Sequence, residues 1–119
     1  MVAGIGVDII EKERVLKAIE KKSFLKKCFT DRECQIIEEK KSRAASNFAG
    51  KEAIAKALGT GFAGFLPADI EILRKPDGVP YVLLHNGAQD KAESLGINYI
   101  HISLSDTKDT AIAYVVLEH

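Results

Sequence analysis

The segment Phe48-Ala49-Gly50-Lys51-Glu52-Ala53-Ile54-Ala55-Lys56-Ala57-Leu58-Gly59-Thr60-Gly61 decides how this chain is read. Alanine, leucine and lysine favour helix, and a Gly-x-Gly ending supplies a left-handed stop, so residues 43–58 are expected to form one long central helix. At about 100° per residue, Phe48, Glu52 and Ala55 fall on one stripe. Glu52 is then expected on or beside an apolar face, where a lone carboxylate is costly to bury. Upstream, Gly4-Ile5-Gly6-Val7-Asp8-Ile9-Ile10-Glu11 reads as a buried strand over residues 2–10. Side chains alternate along a strand, so Ala3, Ile5, Val7 and Ile9 share one face, and Gly4, Gly6 and Asp8 the other. Two glycines beside one carboxylate leave a bare strip that a ligand or another backbone can approach. Two acids set inward by their patterns invite a shared cation.

The remaining elements follow from shorter signals. Residues 12–21 read as an amphipathic helix with Val15, Leu16 and Ile19 inward, and Phe24 to Phe29 as a second helical turn. Thr30-Asp31-Arg32-Glu33 is a capping-box signature for a helix running to about residue 41. Asp69 to Arg74 alternates as a strand, Pro76-Asp77-Gly78 turns, and Pro80 to Leu84 returns as its partner. Asn86 is expected to cap a short helix carrying Ala88, Ala92 and Leu95. Residues 98–104 and 110–117 read as a hairpin around a glycine-free turn. Helices first and strands afterwards predict an α+β fold with a largely antiparallel sheet, in a single domain over residues 1–119.

The chain has 119 residues, 46% hydrophobic and 29% charged, which suits a core that needs no staples. No stretch reads as a membrane span or a cleavable signal, so a cytoplasmic protein is expected. Cys28 and Cys34 form no metal-binding pattern and read as reduced structural thiols, and three scattered histidines give no support for zinc. Net charge is zero, yet residues 1–60 hold 13 basic against 9 acidic side chains, and residues 12–27 hold seven against two. Such a patch can attract an anionic ligand or an acidic protein; a solvated helix face is the alternative.

A pair of carboxylates suits Mg²⁺, which takes one or two protein acids and joins substrate phosphates. Lys51 and Lys56 flank Glu52 and can balance phosphate charge from the same helix. An ordinary Glu52–Lys56 salt bridge, with Asp8 capping the helix that follows, remains the alternative. Gly59-Thr60-Gly61 lacks the Walker spacing, and Gly4-x-Gly6 lacks the third glycine of a dinucleotide fingerprint. No Ser–His–acid set can be assembled.

Taken together, these motifs resemble the small bacterial holo-acyl-carrier-protein synthases of the 4′-phosphopantetheinyl transferase family. The resemblance rests on Gly4-x-Gly6-x-Asp8-Ile9-x-Glu11 with Arg14, and on Phe48-Ala49-x-Lys51-Glu52-Ala53-x-x-Lys56-Ala57-x-Gly59-Thr60-Gly61. Asp69-Ile70-Glu71-Ile72, Gly78-x-Pro80 and Ser103-Leu104-Ser105-Asp106-Thr107 extend it over almost the whole chain. It implies the phosphopantetheinyl transferase fold, a homotrimer with active sites between subunits, and a role in fatty acid biosynthesis. The implied reaction moves the 4′-phosphopantetheine arm of coenzyme A to a serine of apo acyl carrier protein, releasing adenosine 3′,5′-bisphosphate. Neither nucleic acid nor membrane is an implied partner. Asp8 and Glu52 would hold Mg²⁺ and, with Lys56, form the catalytic set. Lys51, Lys56, Gly59, Thr60, Gly61 and Ser105 would bind the coenzyme. Arg14, with Lys17 and Lys21 one and two turns on, would dock the acidic carrier.

Two positions depart from the family pattern. Asn47 stands where many relatives carry arginine, and Asp106 where many carry histidine, both near the nucleotide. A binding module that has lost turnover, or a structural protein whose polar residues are surface pairs, are the competing readings. Retention of Asp8, Glu52 and Lys56 opposes the first. Acids beside Gly4-x-Gly6 and on a helix edge oppose the second.

Overall fold

The computed structural model describes residues 1–119. Strand β1 (Val2–Glu11) leads into helices α1 (Lys12–Ala18), α2 (Lys22–Cys28), α3 (Asp31–Glu39) and α4 (Ser42–Ala57). After a short 3-10 turn at Pro67–Asp69 come β2 (Ile70–Arg74), β3 (Pro80–Leu84), α5 (Asn86–Ser94), β4 (Tyr99–Asp106) and β5 (Thr110–Glu118). All strand pairings are antiparallel, in a three-stranded sheet of order β1-β5-β4 and a two-stranded sheet β2-β3. The α+β expectation holds.

Helix α4 lies against the inner face of the larger sheet, and the glycines of β1 make that approach possible. A Cβ on Gly4 would stand 2.3 Å from the Ala57 carbonyl oxygen, and one on Gly6 would stand 1.9 Å from that of Ala53. Ala111 and Ala113 of β5 are fully buried and keep the neighbouring strand equally low. Gly50 seats the other side of the helix, where an added Cβ would meet Ile72 at 2.6 Å and Ile102 at 3.1 Å. Because helix backbone cannot retreat as a flexible side chain can, Gly6→Ala is expected to destabilise the chain by about 3 kcal/mol or more. Urea unfolding at equilibrium measures it.

The helix backbone takes the bare strip of β1, as one of its two expected occupants. Two other expectations are corrected. First, β1 is not a fully buried strand, being covered on that face only. Its apolar face looks outward, with Ile5 61%, Val7 50% and Ile9 65% exposed. The β1–β5 register adds Ile112 and Tyr114 to the same surface. Secondly, α4 has no single apolar face. Ala44, Ala45, Ala49, Gly50, Lys51, Ala53, Ile54 and Ala55 are buried around most of its circumference. Phe48 and Glu52 are half-buried and Lys56 exposed, so these three residues form its open flank.

Local signals elsewhere behave as their chemistry predicts, with two exceptions. Thr30 and Glu33 form the reciprocal capping box of α3. The β4–β5 hairpin closes without glycine because the Thr107 hydroxyl accepts from the Thr110 backbone N–H at 3.1 Å. Asn86 does not cap α5: its backbone has φ 50° and its side chain donates to Asp69 at 2.9 Å. Helix α1 ends at Ala18, so Lys21 belongs to the entrance of α2. Arg14, Lys17 and Lys21 therefore do not form one helical stripe. No helix is long and apolar enough to cross a membrane.

Candidate active site

The open flank of α4 meets the inner face of β1 at Asp8. Strand alternation points Asp8 inward beside Gly6, and the glycine contact draws the helix close enough for its side chains to meet that carboxylate. Lys56 Nζ donates to Asp8 Oδ1 at 3.0 Å and to the Val7 carbonyl at 3.1 Å. Asp8 Oδ2 is buried and has no hydrogen-bond partner. Buried carboxylate oxygens are normally satisfied, so an orphan in a polar corner marks a place for a ligand. Glu52 lies within electrostatic reach. Burial and the Asp8 charge push its carboxyl above the usual range, against the opposing pull of Lys56. Two acids that repel each other, one with a free buried oxygen, make a donor set for a hard divalent cation.

Gly59, Thr60 and Gly61 follow at the C-terminal end of α4. Gly59 and Gly61 have φ +82° and +59°, with nothing near their Cβ positions, so backbone conformation rather than crowding calls for glycine there. The structure thus brings Asp8, Glu52 and Lys56 together, with the glycine stop beyond Lys56.

Lys51 belongs to a different environment. It is fully buried, and its ammonium donates to Glu33 at 2.7 Å, to the Pro67 carbonyl at 3.1 Å and to the Ile70 carbonyl. With every proton engaged inside the core, it cannot face a coenzyme phosphate, and its expected binding role is corrected to a structural one. Asn47 joins the same network, donating to Glu33 Oε2 at 2.9 Å and to the Ile72 carbonyl at 2.8 Å. Burial pushes Glu33 up and Lys51 down, each against the pull of the other's charge.

Ser105 sits apart from the acids, on β4 at the other edge of the sheet. It lines an open cleft of ≈ 310 Å³ with Lys40, Ser42, Arg43, Ser46 and Arg74. Sequence reading missed this basic cluster because Lys40 and Arg43 lie just before the central motif and Arg74 is far along the chain. The altered residue Asn47 held a clue, since its Oδ1 accepts from Arg74 Nη2 at 2.8 Å. Asp106, at the cleft margin, pairs with Lys12 at 2.6 Å.

At the C-terminal end of β1, Arg14 lines a groove of ≈ 240 Å³ with Ile10, Val15, Ala18, Phe24 and Phe48. Phe48 precedes Glu52 by one helical turn, so this groove adjoins the acid pair. Lys17 is exposed and lies 3.6 Å from Glu13, which offsets part of its charge.

A sheet-backed helix presenting an acid pair and a lysine matches a known class. Residues 4–115 match the 4′-phosphopantetheinyl transferase superfamily, and the chain belongs to it. Within that class the similar proteins are holo-[acyl-carrier-protein] synthases. That of Clostridium perfringens is 50% identical over 126 residues, covering 99% of this chain and 95% of the relative. That of Lachnoclostridium phytofermentans is 45% identical over 118 residues, covering 99% and 97%. The solved enzyme from Neisseria meningitidis superposes with a TM-score of 0.89 at 31% identity over 100% of both chains. The Helicobacter pylori enzyme, solved in complex with coenzyme A, gives 0.85 at 32% identity over 96% of this chain and 99% of that one.

Proposed function

We propose that the chain transfers the 4′-phosphopantetheine arm of coenzyme A to a serine hydroxyl of apo acyl carrier protein, in the cytoplasm and in support of fatty acid biosynthesis. The serine oxygen forms a bond to the pantetheine-side phosphorus as the bridging P–O bond breaks, and adenosine 3′,5′-bisphosphate leaves. The observation that carries this reading is the orphaned Asp8 Oδ2 beside a Glu52 that already repels it. Asp8 and Glu52 would hold Mg²⁺, which when bound polarises the pyrophosphate and offsets charge on the leaving group. Lys56, anchored on Asp8 and the Val7 carbonyl, holds a positive charge at the edge of the same corner. Phosphoryl transfer asks a protein mainly for such positioning and charge, which suits a site with no nucleophile of its own.

The assembly reading is a homotrimer with sites between subunits. Its support is the exposed apolar sheet face of Ile5, Val7, Ile9, Ile112 and Tyr114, which is costly to leave in water. Its second support is the separation of the acid pair and the basic cleft. They lie at opposite edges of the sheet, and on α4 their residues are roughly a third of a turn apart. A coenzyme that uses both is served most simply by the acids of one subunit and the cleft of its neighbour.

Incubating apo carrier protein with coenzyme A, Mg²⁺ and the full chain tests the reaction by mass spectrometry. Gain of one phosphopantetheine, abolished by chelator, is expected; no gain with several carriers would sink the reading. Carrier docking is tested separately. Arg14→Glu combined with Lys21→Glu is expected to raise KM for carrier protein at least about tenfold at low salt, leaving KM for coenzyme A alone, since rim charges steer acidic partners. An unchanged carrier KM would reject the docking face.

A further inference from the structure

We infer that Lys56 is a built-in competitor for the divalent cation: it acts as the counter-ion of Asp8, weakens metal binding to the free chain, and makes the metal and the coenzyme pyrophosphate load together. The inference rests on the metal and coenzyme A reading above. Its starting point is the direction in which Lys56 reaches. Glu52 precedes it by one turn of α4, the spacing at which a glutamate and a lysine normally pair along a helix. Lys56 makes no ion pair with Glu52. Its ammonium crosses to β1 instead, donating to Asp8 Oδ1 at 3.0 Å and to the Val7 carbonyl at 3.1 Å. Glu52 has no ion-pair partner at all, and Asp8 has only this one. The lysine thus sits on one oxygen of the carboxylate whose other oxygen, Oδ2, is buried and without a partner.

Charge decides what this arrangement does. No third histidine, cysteine, aspartate or glutamate joins the two acids. Mg²⁺ is held weakly by so sparse a donor set and relies on substrate phosphates to complete it. Asp8 and Glu52 alone carry enough negative charge to balance a divalent cation. With Lys56 paired to Asp8, one of those charges is already compensated. A cation arriving alone then faces a like charge at close range in a half-buried corner, where repulsion is poorly screened. The pyrophosphate of coenzyme A brings further negative charge and restores the balance. Lys56 can meet it without leaving its anchor, because an ammonium has three donors and one of them holds the Val7 carbonyl. The Lys56 side chain is 55% exposed and that of Asp8 14%, so the lysine stands on the solvent side of the corner. The corner therefore opposes a cation without coenzyme and accepts one with it.

Titration of Mn²⁺ into the full chain, followed by calorimetry without carrier protein or turnover, provides the test. Lys56→Met is expected to bind Mn²⁺ about tenfold more tightly than wild type, the scale of a charge-assisted hydrogen bond. Lys56→Gln, which keeps a neutral donor for Asp8, should show a smaller gain and serves as the second variant should Lys56→Met fold poorly. Lys56→Arg, which keeps the charge, should stay close to wild type. Coenzyme A is the second probe. Saturating Mn²⁺ should tighten its binding by a larger factor in wild type than in Lys56→Met, because only wild type has a repulsion for the pyrophosphate to relieve. Mn²⁺ binding in Lys56→Met and Lys56→Gln no tighter than in wild type overturns the proposal. So does equal coupling between Mn²⁺ and coenzyme A in wild type and in Lys56→Met. Transfer to carrier protein by wild type, with Mn²⁺ affinity unchanged by either substitution, would refute the competition and keep the transferase. Tighter Mn²⁺ binding in both variants, without transfer to any carrier by wild type, would do the reverse.

Discussion

Glu52→Gln is expected to lower the turnover of phosphopantetheine transfer by about a thousandfold and, in metal-free buffer, to raise the melting temperature. The first effect follows from the loss of one of the two acids that would hold the metal, whose stabilisation of phosphoryl charge is worth several kcal/mol. The second follows from repulsion. Burial and Asp8 raise the Glu52 carboxyl above its ordinary range, so keeping it ionised near neutral pH costs the folded chain free energy. The amide carries no charge and removes that cost, giving a gain of a degree or a few degrees on the usual relation between free energy and melting temperature. A variant both more stable and nearly inactive is the signature of a site that trades stability for function. Calorimetric melts with and without Mg²⁺ add the check. Mg²⁺ should raise the wild-type melting temperature and have little effect on the variant. A variant that melts lower without metal, or that keeps its turnover, would refute the assignment.

Much of the fold was legible because it is locally encoded. Thr30 and Glu33 sit three apart and cap each other, Pro76-Asp77-Gly78 can only turn, and the glycines after Leu58 stop α4. The meeting of Asp8 and Glu52 in one corner was legible for a related reason: each violates the pattern of its own element. What stayed hidden depends on pairing between distant segments. Nothing in residues 2–10 says which face of a strand with glycines on one side and isoleucines on the other will be covered. A buried strand would hide both faces, whereas the structure covers only the glycines, with backbone, and leaves Ile5, Val7 and Ile9 outside. Arg74 reaches the cleft through a side chain 27 residues away, a relation no periodicity carries. Lys51 was misread for the same reason, since its partner Glu33 lies on another helix 18 residues back.

That pairing makes Lys51→Met the substitution with the largest expected effect on folding. Glu33 and Lys51 are both fully buried, and Glu33 also receives hydrogen bonds from Asn47, the Ile72 N–H and the Thr30 N–H. Removing the ammonium leaves a carboxylate in the core without its counter-charge, and strips the Pro67 and Ile70 carbonyls of their donor. Cutting one partner from a buried ion pair costs about 3–5 kcal/mol, a large share of the stability of a chain this size. Urea unfolding should show the midpoint falling by that amount divided by the slope, or no cooperative transition at all. Lys56→Met, five residues on, supplies the contrast. Its side chain is about half exposed, so stability should fall much less than in Lys51→Met, although Asp8 loses its only side-chain partner, while turnover falls. Pairing Lys51→Met with Glu33→Gln separates the two costs within Lys51→Met. The double variant buries no charge and should recover part of the loss, because the glutamine can still accept from Asn47. Were Lys51→Met as stable as wild type and impaired only in coenzyme binding, the lysine would belong to the site after all, and the buried network could not be what anchors α4 to α3 and β2.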